Sequence, residues 1–245
     1  MSNLKDKVVL ITGASKGIGA HMAKAFAGAG AKVVINYASS EAAAQSVLTD
    51  IEAQGGQAVI IKADVSKEAE VTTLFDQALQ TYGRIDILVN NAGVMTTRNI
   101  KDSTEAEFDQ QFNINVKGTF FTLKEAATKL ANGGTVINFS SSTTKVMFPG
   151  YGIYSATKAA VEQMSRVFSK EIGRGISVNS IAPGPTKTEL FLNGKSEETL
   201  TRLAASNAFN RIADPEDITR VVLFLASDDA KWISGQTIAA NGAMA

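Results

Sequence analysis

Cysteine is absent from the 245 residues, and histidine occurs once, at His21. The first absence removes disulfides, thiolate nucleophiles and cysteine-ligated metal sites. The second leaves little from which to build a Ser-His triad or an imidazole metal site, and His21, between Ala20 and Met22 in a helical pattern, reads as helix surface or packing. Neither sign of charge prevails: 24 Lys and Arg face 24 Asp and Glu. Nothing therefore directs the chain to nucleic acid or to an acidic membrane surface. Long apolar runs are missing too. None reaches the roughly 20 residues of a membrane span, and the opening Met1-Ser-Asn-Leu-Lys-Asp-Lys7 lacks the apolar core of a signal peptide. The expectation is a soluble, cytoplasmic protein without a metal.

What is present is regular alternation. Apolar, β-branched runs at Lys7–Thr12, Lys32–Asn36, Gln57–Lys62, Ile85–Asn90, Thr135–Ser140, Ile176–Ala182 and Gln236–Ala239 read as strands. Between them, helical patterns cover Ile18–Gly30, Ser40–Gln54, Lys67–Tyr82, Thr104–Ala131, the stretch from Tyr154 to Lys170, and Pro215–Ala226. In the fourth, Phe112, Val116, Phe120, Leu123 and Leu130 share one side. In the fifth, Ala156, Ala159, Ala160, Val161, Met164 and Phe168 form an apolar side, with Glu162, Arg166 and Lys170 as polar interruptions. Strand-helix alternation with short connections predicts an α/β fold: a doubly wound parallel sheet of about seven strands, helices on both faces, in a single domain over 1–245. Ligands of such sheets sit outside the C-terminal strand ends, where strand order reverses.

The first strand end carries Thr12-Gly13-Ala14-Ser15-Lys16-Gly17-Ile18-Gly19. Glycines let backbone N–H groups approach a phosphate, and the helix N-terminus behind them favours an anion. The spacing is looser than Gly-x-Gly-x-x-Gly, so a ligand-free glycine turn is the plain alternative. No Gly-Lys-Ser/Thr ending is present, which disfavours ATP or GTP hydrolysis. The second strand end, Asn36-Tyr37-Ala38-Ser39-Ser40, has no carboxylate for ribose hydroxyls before Glu41. Lys16 can meet a 2′-phosphate, with Ser39 and Ser40 adding hydroxyls, and this favours NADP(H) over NAD(H). Alternatively Lys16 is solvated and the serines cap a helix. Asp64-Val65 ends the third strand, either as a partner for an adenine edge or as a helix cap. Asn90-Asn91-Ala92-Gly93 ends the fourth, where small residues admit a flat ring or ribose, or the Asn side chains only stabilise the turn.

Tyr154 and Lys158 stand four apart in Tyr154-Ser-Ala-Thr-Lys158 and share a helix face. A phenol titrates near pH ~10 in water, too high for neutral acid-base work, and a nearby ammonium favours the phenolate. By itself such a pair is commonplace.

Taken in order, these pieces resemble the short-chain dehydrogenase/reductase family in its single-domain, Rossmann-type branch. The resemblance rests on Thr12-Gly-Ala-Ser-Lys-Gly-Ile-Gly19, Asp64, Asn90-Asn-Ala-Gly93, Asn115, Ser141, Tyr154-x3-Lys158 and Pro183-Gly184, and it covers essentially the whole chain. It implies that Tyr154 donates a proton to a carbonyl oxygen during reduction. Lys158 lowers the tyrosine pKa and holds the nicotinamide ribose, Ser141 hydrogen-bonds the substrate oxygen, and Asn115 holds a water in a proton path. Ser141, thirteen residues before Tyr154, matches the family position better than Ser140 or Ser142, as Asn115 does better than Asn113. Pro183, Gly184 and Thr186 fall where the family contacts nicotinamide, and Thr188 where it reaches a cofactor phosphate.

By the same resemblance, residues from about 186 to 210 form a substrate lid, in which Leu190, Phe191, Leu192, Leu200 and Leu203 cover an apolar pocket or merely pack the lid down. The pattern is similar to 3-oxoacyl-carrier-protein reductases and equally to broad ketone, aldehyde or sugar reductases. Carrier-protein docking has half its expected basic residues: Arg174 is there, while Leu130-Ala-Asn-Gly-Gly134 has none. A homotetramer pairing the Thr104 and Tyr154 helices is implied, with Trp232 and Asn241–Ala245 in a second interface. Three other readings fit less well. An enoyl reductase of the superfamily would space Tyr and Lys seven apart, an epimerase would be longer, and a non-catalytic nucleotide sensor would have lost Ser, Tyr or Lys.

Overall fold

The computed structural model describes residues 4–245, so Met1–Asn3, the start of the segment read for a leader, lie outside the described residues. Strand β1 (Val8–Ile11) is buried at every position, as a parallel strand covered on both faces must be. Its side chains alternate between two cores. Val9 and Ile11 meet Met22 and Phe26 of α1 (Gly17–Gly28) and Ile218, Val222 and Leu225 of α10 (Pro215–Ala226). Val8 and Leu10 meet Leu74 and Phe75 of α3 (Glu68–Tyr82) and Leu123 of α5 (Gly118–Lys129).

The remaining strands are β2 (Lys32–Tyr37), β3 (Gln57–Lys62), β4 (Ile87–Asn90), β5 (Thr135–Phe139), β6 (Ser177–Pro183) and β7 (Thr237–Ala240). They form one parallel sheet of seven strands in the order β3-β2-β1-β4-β5-β6-β7. The chain winds outward from β1 to β3, with α2 (Glu41–Ala53) between the outer two strands. It then crosses back to β4 and winds the other way. The crevice outside the ends of β1 and β4 is thus the switch point. No helix among the described residues is long and apolar enough to cross a membrane.

Two helical expectations need correction. The single helix over Thr104–Ala131 is broken: α4 (Glu105–Phe112) and α5 are joined by a π-helical turn at Asn113–Lys117. One additional residue in a turn rotates the rest of the helix by about 100°. Phe120 and Leu123 both lie beyond the turn and rotate together relative to Phe112, so the five residues no longer share one side: Leu123 is buried and Phe120 is 50% exposed. In α7 (Gly152–Glu171) the inward face is Thr157, Lys158, Val161, Glu162 and Ser165. Ala156 and Ala159 face outward instead. Lys158, Glu162 and Ser165 are pulled in by polar partners on β5 and its turn, described below. Two short helices, α8 (Glu189–Leu192) and α9 (Glu197–Ala205), come after β6, and α6 (Thr143–Val146) comes after β5.

Candidate active site

Two adjoining cavities open at the switch point. The larger is lined by Gly13, Ser15, Lys16 and Gly17 of the glycine turn, Tyr37, Ala38 and Ser39 after β2, Asp64 and Val65 after β3, and Asn91, Ala92 and Gly93 after β4. The second is lined by Ser141, Tyr154, Lys158, Pro183, Gly184 and Thr186 among a mostly apolar wall. Ile18, Asn91, Gly93, Met95, Thr188 and Leu190 border both cavities, so a ligand spanning the first can present one end to the second.

The larger cavity is shaped for a dinucleotide. Gly13 is left-handed at φ +62°, and a β-carbon there would stand 2.9 Å from Ala92 Cα. Asn91 Nδ2 donates to Thr12 O at 2.9 Å and Gly13 O at 3.0 Å, and Gly13 N donates to Asn36 Oδ1 at 3.2 Å, which ties the ends of β1, β2 and β4 together. The Ser15 and Lys16 N–H groups have no backbone or side-chain acceptor among the described residues, and Lys16 leaves the α1 N-terminus without a side-chain cap. Donors, glycine cradle and helix dipole together fit a diphosphate. Ser40 makes no capping hydrogen bond to α2. Asp64 turns Oδ1 to Ser66 N and Oγ at 3.0 and 2.7 Å, an Asx-type turn ahead of α3.

Two expected cofactor or site residues border neither cavity. Gly19 lies beneath the loop, where a β-carbon would be 2.5 Å from Gly13 O and 2.6 Å from Asn91 Nδ2; its role there is to permit close packing. Asn115 is buried, its Oδ1 accepting from Val94 N at 2.8 Å and its Nδ2 donating to Val94 O at 2.9 Å and Thr157 Oγ1 at 3.1 Å. Its side chain fixes the Gly93–Met95 segment against α7, and both of its amide protons are committed. Lys16 is placed at the cavity but paired with Glu189 at 3.1 Å, both side chains being exposed. Such a pair is weak and exchanges readily for a phosphate.

In the second cavity the three serines that line it differ in their bonding. Ser140 Oγ donates to Glu162 Oε1 at 2.6 Å and Ser142 Oγ to Pro183 O at 2.8 Å. Ser141 Oγ accepts from Thr143 N at 3.2 Å and lies 3.1 Å from Thr143 Oγ1, at the cavity wall. Lys158 Nζ donates to Phe139 O at 2.8 Å and stands 5.7 Å from the Tyr154 ring centroid. Gly93 keeps the space in front of it open, since a β-carbon there would be 3.4 Å from Nζ.

The expected lowering of the tyrosine pKa is not what this pocket does. Burial pushes the Tyr154 phenol up to about 12, with the Ser141 hydroxyl pulling against it. Burial also pulls the Lys158 ammonium down to about 8. Desolvation outweighs attraction because the ammonium lies over the ring and bonds a carbonyl. At neutral pH the phenol keeps its proton, the form that can donate.

Several wall residues were missed. Met95, Val146, Phe148, Tyr151 and Met244 line the second cavity, and Lys195 the first. Tyr151 stands 6.5 Å from Tyr154 and 6.1 Å from Phe148, ring to ring. The apolar run Val146-Met-Phe148 just ahead of Tyr154 was the available signal. Met244 comes from the segment read as an interface. Arg174 is not free for docking: its guanidinium donates to Leu130 O at 2.6 Å, Ala127 O at 2.7 Å and Ala126 O at 3.2 Å, capping α5.

Residues 13–244 match the family model described as Enoyl-(Acyl carrier protein) reductase. An uncharacterized oxidoreductase of Methylorubrum extorquens is 43% identical over 99% of both chains. A versicolorin reductase of Emericella nidulans is 42% identical, covering 98% of this chain and 96% of its own. Among solved structures, an angucycline C-6 ketoreductase with bound NADP superposes with a TM-score of 0.93 at 39% identity, over 99% of this chain and 97% of that one.

Proposed function

Because this chain belongs to the short-chain dehydrogenase/reductase family, we propose that it is an NADPH-dependent carbonyl reductase acting on a ketone. NADP(H), bound in solved relatives, would supply the hydride that goes to the carbonyl carbon. The larger cavity would hold it: the glycine turn at the diphosphate, Lys16 and Ser39 at a 2′-phosphate, and Thr188 near the switch point. The missing carboxylate after Tyr37 supports preference over NAD(H). Ser141 would orient the carbonyl oxygen, Tyr154 would give it a proton, and Lys158 would hold ribose hydroxyls. Asn115 would position the floor of the site. The observation that carries this reading is the meeting of the two cavities at Ile18, Asn91 and Gly93, with Ser141 and Tyr154 on the substrate side. The four-residue Tyr154–Lys158 spacing supports ketone over enoyl reduction, whatever the family model's description.

The substrate is a small carbonyl compound, a 3-oxoacyl thioester being its simplest form. The wall of Phe148, Tyr151, Met95, Phe191 and Met244 favours an uncharged, ring-bearing ketone, since among the described residues Lys158 is the only charged one lining that cavity. Names of relatives, a versicolorin reductase and an angucycline ketoreductase, point the same way. With Arg174 committed to α5, carrier-protein docking has little support. Residues from about 186 to 210 serve as the lid of this single-domain enzyme. Phe108, Phe120 and Val167, each 45–50% exposed, support a homotetramer through α4, α5 and α7. A cytoplasmic location completes the reading.

The test is NADPH oxidation with an acetoacetyl thioester and with an uncharged bicyclic ketone, beside NADH and Tyr154→Phe. We expect turnover with NADPH, faster with the ring ketone, and a loss of about 10³-fold in Tyr154→Phe. Undiminished turnover in that variant would sink the mechanism. A thioester as fast as the ring ketone would return the substrate to the 3-oxoacyl class.

A further inference from the structure

A buried carboxylate stands behind the site with no part in the chemistry above. Glu162 is 5% exposed, on the face of α7 that also carries Tyr154 and Lys158. Its Oε1 accepts from Ser140 Oγ at 2.6 Å and Thr144 Oγ1 at 2.9 Å. These two residues bracket Ser141 in the turn after β5. Thr144 Oγ1 also reaches Ser141 O at 3.0 Å. The other side of the turn is fixed to β6 by Ser140 N to Ile181 O at 2.7 Å and Ser142 N to Pro183 O at 3.0 Å. Without Glu162, the turn's remaining side-chain ties to the helix that bears the tyrosine, among the described residues, would be Ser155 Oγ to Thr143 O at 3.2 Å and the Ser141 hydroxyl itself at the Tyr154 phenol.

A buried carboxylate is a costly way to fill space. An apolar side chain of similar volume is often neutral or better for stability, and here Arg166 offsets the charge only from 3.7 Å. What the carboxylate provides, and an apolar group does not, is one oxygen that two hydroxyls can share. We infer that Glu162 is a positioning residue that sets the Ser141 hydroxyl in register with the Tyr154 phenol, by clamping Ser140 and Thr144 to the tyrosine's own helix. Both groups that meet the carbonyl oxygen are then referenced to one rigid element. The inference rests on the reading of Ser141 as a substrate contact.

The test is a double-mutant cycle on the NADPH-linked reaction. Glu162→Leu should lower kcat by about 10²-fold, the scale of an ångström of misplacement. NADPH affinity, read by nucleotide fluorescence, should be unchanged, which also reports that the variant is folded. Glu162→Gln keeps an oxygen acceptor and should retain most of kcat. Ser141→Ala should cost a similar factor, and adding Glu162→Leu to it should cost nothing further. Losses that multiply in the double variant, or a Gln variant as poor as Leu, overturn the proposal while leaving Ser141's role intact. Ser141→Ala at full activity overturns that role and the proposal with it. Should Glu162→Leu fail to fold, Ser140→Ala with Thr144→Val removes the same contacts from the other side and takes its place in the cycle.

Discussion

The two faces of α7 reverse the usual pattern. Inward go Thr157, Lys158, Glu162 and Ser165; outward go Ala156, Ala159 and the half-exposed Val167. Thr157 meets Asn115, and each of the other three has a partner on β5 or the turn after it. Lys158 takes Phe139 O and Glu162 takes Ser140 Oγ, while Asn138 Nδ2 donates to Ser165 Oγ at 2.8 Å. A helix that positions chemistry gives its buried face to hydrogen bonds. Val161, Met164 and Phe168 still pack inward, and the outward Ala156, Ala159 and Val167 are left for whatever covers the outside.

The largest expected effect lies on the inner face. Lys158→Met should lower kcat by about 10²-fold or more and yet stabilise the fold at pH 7. The native ammonium is held at about 8 against 10.5 for a free lysine, so below pH 8 both folded and unfolded chains carry the proton. The folded chain then bears a burial cost of about 3 kcal/mol. Between pH 8 and about 10.5 the unfolded chain binds more protons, so wild-type stability rises with pH and the variant's advantage closes. Urea denaturation of both proteins from pH 7 to 10 checks this; an advantage that widened with pH would reverse the assignment. The same titration should give reduction an alkaline limb near pH 8 that belongs to Lys158, since the phenol holds its proton to about 12.

On the outer face, Ala159→Glu with Val167→Glu should leave the sheet intact and break the proposed tetramer. Sedimentation would then give a smaller species at unchanged secondary structure. An unchanged sedimentation coefficient would remove this face from the interface. The smallest effect belongs to the far end of the inner stripe. Ser165→Ala removes the partner of Asn138 and of Ser180 Oγ, at 2.8 Å each. It should cost about 1–3 kcal/mol of stability with kcat unchanged, which denaturant melts and steady-state rates together would show. A fall in kcat as deep as that in Glu162→Leu would mean that the whole stripe, rather than its site end, tunes the chemistry.

Much of the frame was legible because its determinants are local. Gln57–Lys62 and Pro215–Ala226 were bounded correctly: the first by Gly55-Gly56, the second by Pro215 at the first helical position behind an Asp214–Asp217 capping box. Site residues that sit on glycine turns and strand ends were legible for the same reason. Where a distant partner decides, periodicity failed. Nothing near Asn115 in sequence announces that Val94 will hold its amide, and the π turn there rotates α5, Phe120 and Leu123 together, relative to Phe112. Glu162 read as a break in an apolar side because Ser140 and Thr144, its partners, lie about twenty residues away. Arg174 read as a docking cation because carbonyls at the end of α5 leave no mark on sequence.

The Lys16–Glu189 pair joins residues 173 positions apart, one on the glycine turn and one at the start of the lid. Any anion that takes Lys16 must take it from Glu189. The segment that opens the proposed lid is thereby coupled to the far end of the other cavity by substitution of one counterion for another, and the strength of that coupling depends on the ionic strength around it.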